Sequence, residues 1–142
     1  MANYNCTIRT NYFHVKDEAA FRNVIENTSA DDNIEIFDDQ YDSNGNKVFG
    51  FGCYGCIHGL YDPEYEDDDC DYNAFIEELA KCVVDDEAIL IFESGHEKMR
   101  YVTGSCVVVT AKETKYLTIE QIAVAEAQRI LEKPDYHTIC TY

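Results

Sequence analysis

Between residues 31 and 71 the chain carries 13 acidic side chains and one basic one, Lys47. Carboxylates without cationic partners are costly to bury, so this stretch must lie largely at the surface. The core then has to come from short apolar runs within and around it. The whole 142-residue chain holds 28 Asp+Glu against 11 Lys+Arg, a formal net charge of −17. Residues 1–71 hold 16 acids and 4 bases, and residues 72–142 hold 12 acids and 7 bases. A field of this sign repels nucleic acid and anionic membrane and attracts basic partners. Neither direct nucleic-acid binding nor membrane binding is expected.

Hydrophobic residues make up 46 % of the chain, with 11 Tyr and 7 Phe, so a folded core is expected despite the charge. A chain of this length is expected to form a single α+β domain over 1–142. It should bury roughly two thirds of the surface its unfolded form exposes. The seven cysteines are Cys6, Cys53, Cys56, Cys70, Cys82, Cys106 and Cys140, an odd number lying mostly in apolar stretches. The opening Met-Ala-Asn-Tyr-Asn-Cys has neither a basic n-region nor an apolar h-region. A cytoplasmic location with reduced thiols is the expectation. The longest apolar run, Ala88–Phe92, is five residues, too short to span a membrane as a helix.

Residues 4–15 alternate β-branched, aromatic and polar residues and predict a strand. Asp17 is placed to cap a helix whose inner face is Ala20, Phe21, Val24 and Ile25. Residues 33–37 and 47–53 predict two strands joined through Asn44-Gly45, a hairpin signal. Residues 54–71 read as a long loop, and a second helix over about 72–83 follows, with Phe75, Leu79, Cys82 and Val83 inward. Strands are predicted at 87–92 and 99–110, with a turn at Gly95 between them. Thr118-x-x-Gln121 is a capping box for a third helix whose stripe is Ile119, Ile122, Ala123, Ala127, Ile130 and Leu131, ended by Pro134. That stripe is expected to cover apolar surface of the sheet, with Ile122 and Ile130 facing the core. The tail HTICTY is a candidate edge strand. The order βαββαββα begins with the ferredoxin-like βαββαβ pattern, an antiparallel sheet with two helices on one face, here extended by one strand and a C-terminal helix.

No catalytic motif is complete, so a non-enzymatic protein is the expectation and no cofactor is implied. Gly50-Phe-Gly52-Cys-Tyr-Gly55 matches G-x-G-x-x-G, but no helix follows to receive a phosphate; close backbone approach or a bulge explains the glycines better. Cys53, Cys56, His58 and Cys70 have zinc-ligand chemistry, yet the distal pair is poorly spaced and no metal site is predicted from them. Aligning Asp42-Ser-Asn-Gly-Asn with an EF-hand loop puts Phe51 where a bidentate Glu is needed, so the hairpin reading stands. Glu93-Ser-Gly-His-Glu97 reads as a polar turn.

The acidic loop is the candidate site. Asp62, Glu64, Tyr65, Glu66, Asp67, Asp68, Asp69, Asp71 and Tyr72 combine carboxylates with tyrosines, which supply contact area and a hydroxyl at interfaces. The bland alternative is a solvated loop that aids solubility. Carboxylates set at phosphate-like spacing would compete for basic grooves that bind nucleic acid. The opening YNCTIRTNYFHVKD, the segment FGFGCYG at 49–55 and the acidic loop resemble small acidic proteins carried by phages and conjugative elements of Gram-positive gut bacteria. The resemblance implies a mobile-element setting and transfers no active site. In charge and size such proteins are analogous to antirestriction and anti-CRISPR inhibitors. The expected function is therefore binding of a basic protein surface, possible targets being nucleic-acid-handling defence enzymes. A small enzyme or ligand-binding domain with a pocket between sheet and third helix is one alternative, and a Cys/His metal-binding regulator is another.

Overall fold

The structure is a computed structural model of the chain and describes residues 4–61 and 70–139. The described elements are β1 (Asn5–Thr10), α1 (Glu18–Glu26), β2 (Thr28–Ala30), β3 (Glu35–Tyr41), β4 (Lys47–Tyr54), β5 (Ile57–Tyr61), β6 (Cys70–Asp71), α2 (Tyr72–Cys82), β7 (Ile89–Glu97), β8 (Tyr101–Val109), β9 (Thr114–Thr118) and α3 (Ile119–Leu131). The fold is α+β. Six strands pair in the order β3-β4-β1-β7-β8-β9, antiparallel at every step. A smaller antiparallel sheet runs β2-β5-β6.

Period-two alternation sets the inner face of the large sheet. Cys6, Ile8 and Thr10 of β1 are buried while their neighbours are exposed. Ile8, Phe49, Phe51, Cys53, Ile89, Ile91, Val107 and Val109 join Phe21, Val24 and Ile25 of α1 and Phe75, Ile76, Leu79 and Cys82 of α2 in one apolar cluster. Phe51 lies at its centre, with its ring 6.5, 6.3 and 6.2 Å from those of Phe13, Phe21 and Phe75. Each such fully buried side chain stabilises the fold by about 1.5–3 kcal/mol relative to exposure. The alternating glycines of the same strand serve the opposite face. A Cβ on Gly52 would lie 2.9 Å from the Ile8 carbonyl oxygen and 3.3 Å from the Phe37 ring, and the Arg9 guanidinium stacks on that ring at 4.2 Å. This is the close backbone approach expected of the 50–55 segment.

Local signals set the element ends. Asp17 accepts from the backbone N–H groups of Ala19 and Ala20, and Thr118 accepts from that of Gln121. Asp42 Oδ1 accepts from the N–H groups of Asn44 and Asn46, both at 2.9 Å, and Gly45 takes φ 80°, closing the β3–β4 hairpin. Such a φ favours glycine.

Several expectations are corrected. The segment 54–71, expected to be a loop, contains β5 and β6; β5 lies between β6 and the unanticipated β2 and pairs with both. Gly95 marks no turn: β7 runs through it to Glu97, and the reversal follows at Lys98–Arg100. β9 was not foreseen and adds an edge to the large sheet. The sheets therefore exceed a βαββαβ core with one added strand. Residues 137–139 form no strand, and the rest of the HTICTY tail lies outside the described residues. The third helix starts at its expected cap but buries none of its residues. Ile122 is 55 % exposed and Ile130 65 % exposed, so neither faces the core. The helix touches β8 and β9 near its start, with Ile119 over Gly104, and the apolar core is already filled by α1 and α2. No helix among the described residues is long and apolar enough to cross a membrane.

Candidate functional site

Asp62, Glu64, Tyr65, Glu66, Asp67, Asp68 and Asp69 lie outside the described residues. The two described members of the acidic set are tied into the start of α2. Asp71 is its N-cap, its Oδ1 accepting from Ala74 N–H at 3.0 Å. Tyr72 packs on Phe75 at 5.8 Å between ring centroids, and burial pushes its phenol up to about 12. Their visible roles are structural.

The described acids converge elsewhere. Ile25, Glu26, Thr28–Ile34 and Tyr61 line an open groove of about 540 Å³. Glu26, Asp31 and Asp32 are its carboxylates, and Tyr61 is the last described residue before the acidic run. Lys47, the lone base of 31–71, is engaged by Glu18 at 3.3 Å and Asp38 at 4.0 Å, beside an Arg22–Asp38 pair. No ion pair with a described Lys or Arg engages Glu26, Asp32, Glu35 or Asp39. Within the groove, Glu26 and Asp32 thus have no ion pair with a described Lys or Arg, while Asp31 is paired with His58.

Asp31 also holds the turn after β4. Its Oδ2 accepts from Cys56 N–H at 2.9 Å, and its Oδ1 is 2.7 Å from His58 Nε2. The Cys56 backbone N–H first, then His58, keep its carboxyl below the ordinary carboxylate range. This turn, with Gly55 at φ 122°, carries Cys56 away from Cys53, whose thiol lies 3.5 Å from the Asp32 carbonyl. The four suggested zinc ligands do not converge: among the described residues Cys56 instead meets Cys6 and Glu93, and His58 reaches it only through Asp31. The Sγ atoms of Cys6 and Cys56 and a Glu93 oxygen lie within 4.8 Å of one another. Tyr4 lies over Gly95, where any side chain would collide with its ring, and donates to Glu93 Oε2 at 3.2 Å. Its hydroxyl also meets Thr103 Oγ1 at 2.6 Å. Burial first, then the Cys56 thiol and the Glu93 charge, push the Cys6 thiol above its ordinary range. No disulfide links the described cysteines.

Sequence reasoning missed Cys6 and Glu93 as a pair with Cys56, and the groove acids as a group. One signal for Glu93 was present: it shares parity with Ile89 and Ile91, so a carboxylate falls on the inner face of an apolar strand. No family model, curated protein or solved structure matches the chain.

Proposed function

We propose that this is a non-enzymatic acidic interaction protein that presents carboxylates to a basic protein surface. The observation that carries the reading is the groove carboxylates Glu26 and Asp32, with which no described Lys or Arg pairs; the sequence adds the run 62–71 with its seven acids and no base. Charge is partitioned along the chain in the same sense. Residues 1–97 hold 23 acids and 5 bases, whereas 98–142 hold 5 acids and 6 bases. Such a field speeds encounter with a cationic partner and discourages wrong ones. In a mobile-element setting, the target class we favour is a host defence enzyme with a basic nucleic-acid groove, inhibited by occlusion. We read the core as ferredoxin-like: the order β3-β4-β1-β7 with α1 and α2 sharing one apolar cluster supports it.

The test has two stages. A pull-down from host cells, read by mass spectrometry, should return a basic, nucleic-acid-binding protein. That protein's affinity for the chain should fall as salt rises, and excess chain should displace its nucleic acid. Replacing Glu26, Asp31 and Asp32, or Asp67, Asp68 and Asp69, by their amides should weaken binding and flatten the salt slope. Unchanged affinity and slope in both sets, or a complex that still binds nucleic acid, would refute the reading.

A further inference from the structure

We propose that Cys6, Cys56 and Glu93 bind one zinc-class divalent cation, leaving its fourth position open to water or an exogenous ligand. The separation of the three ligand atoms, within 4.8 Å of one another, suits a single ion. At metal distances of roughly 2.3 Å for sulfur and 2.0–2.2 Å for oxygen, tetrahedral ligands stand roughly 3.5–3.8 Å apart. Two sulfurs with one carboxylate select zinc over calcium or magnesium, which prefer all-oxygen shells. Three protein ligands with a fourth position for water or an added ligand is an open zinc arrangement, unlike the four-ligand closed structural sites.

The fold itself sets the frame. Cys6 sits opposite Gly95 and Ile8 opposite Glu93 in the β1–β7 ladder, which fixes two ligands on adjacent strands. Gly55 N–H donates to the Cys6 carbonyl at 2.9 Å, which holds the β4–β5 turn and its Cys56 against β1. Outer contacts orient the ligands: Tyr4 donates to Glu93, and Asp31 accepts from Cys56 N–H. Groups of this kind commonly govern metal affinity. A divalent ion at this position would meet the Glu93 carboxylate and two thiolates at once. On binding, both thiols lose their protons to solvent and each sulfur donates a lone pair to the metal; no redox change occurs.

The experiment uses the full chain under a phosphine reductant. Titration with cobalt(II), a spectroscopic stand-in for zinc, should saturate at one ion per chain with thiolate-to-cobalt charge transfer in the near ultraviolet. Zinc should displace it. Cys56→Ser should cut the charge-transfer intensity to about half or less and weaken binding about tenfold or more, and Tyr4→Phe should weaken it about tenfold with the band shape kept. Cys53→Ser and Cys70→Ser should leave the band unchanged. Cys6 is buried, so Cys56→Ser at the turn, checked for fold by circular dichroism, is the deciding variant. Absence of thiolate charge transfer in the native chain, or its full retention in Cys56→Ser, would overturn the site. Binding to the carboxylate-rich run alone would give no sulfur band and would overturn it too.

Discussion

Replacing Ile122 or Ile130 by Asp tests where α3 lies. Fully burying an isoleucine is worth about 1.5–3 kcal/mol. Ile122 keeps 55 % of its surface exposed, so under half of that contact is at stake, about 1 kcal/mol. Ile130 is 65 % exposed and loses less packing. It lies in the last turn, however, where a carboxylate opposes the helix dipole at about 0.3–1 kcal/mol. Both variants should therefore lose no more than about 1–1.5 kcal/mol. A carboxylate forced into a core would cost several kcal/mol instead. Urea unfolding followed by far-ultraviolet circular dichroism resolves the two, because slopes of about 1–3 kcal/mol per molar urea turn 1 kcal/mol into a midpoint shift of roughly 0.3–1 M. The measurement should be run at two protein concentrations about twentyfold apart. A loss of several kcal/mol at both would show α3 buried within the monomer and refute the exposed placement. A large loss confined to the higher concentration would show a second copy covering the helix.

His14 should give stability a pH signature. Its Nε2 is 2.7 Å from Asp42 Oδ2 and its Nδ1 is 2.6 Å from Glu87 Oε2, and these bonds raise its pKa above the ordinary 6.5. The stability it contributes is complete below about pH 6.5 and fades as pH rises through the raised folded value. Asp42 is held below its ordinary 3.8, first by Asn46 N–H and then by His14, so its share is present above about pH 4 and lost on further acidification. The stability difference between wild type and His14→Gln should peak at about pH 4–6.5; equal differences at pH 5 and 9 would rule out a charged bridge. Phe51→Ala should destabilise by about 3–5 kcal/mol, because Phe51 is fully buried among three other rings. A loss below about 1.5 kcal/mol would mean the centre of the core repacks around the gap.

The helices and the hairpin were legible because each is signalled within a few residues. Asp17, Asn44-Gly45 and Thr118 act on backbone groups one to four positions away. The short strands were not. β2 has three residues and β6 two, too few for alternation to register, and β5 is interrupted by Gly59. β9 passes straight into α3, since Thr118 both ends the strand and caps the helix, so no turn residue divides them. The stripe on α3 is periodic as the sequence indicates, but it meets solvent along most of its length. Periodicity states that a face exists, while its partner depends on whether other elements have filled the core first. The thiol cluster was beyond motif reading for the same reason. Cys6 and Cys56 are 50 positions apart in the chain, and they come together only because β4 pairs with β1 and the turn at Gly55 aims Cys56 back across it.

The acidic surface and the thiol cluster meet at one residue, Asp31, which lines the groove and accepts from Cys56 N–H. They nevertheless act through different physics. A divalent ion adds two positive charges, and two thiols release two protons, so the formal net charge of −17 is the same with and without metal. The long-range field that would steer a basic partner under the proposed function depends on that total and on the exposed carboxylates, and neither would change on metal binding. If both proposals hold, metal would influence partner binding only at short range, through the position of Asp31 at the groove wall. Steering by the acids would set how fast a basic surface arrives, and the geometry around Asp31 would set how well it fits.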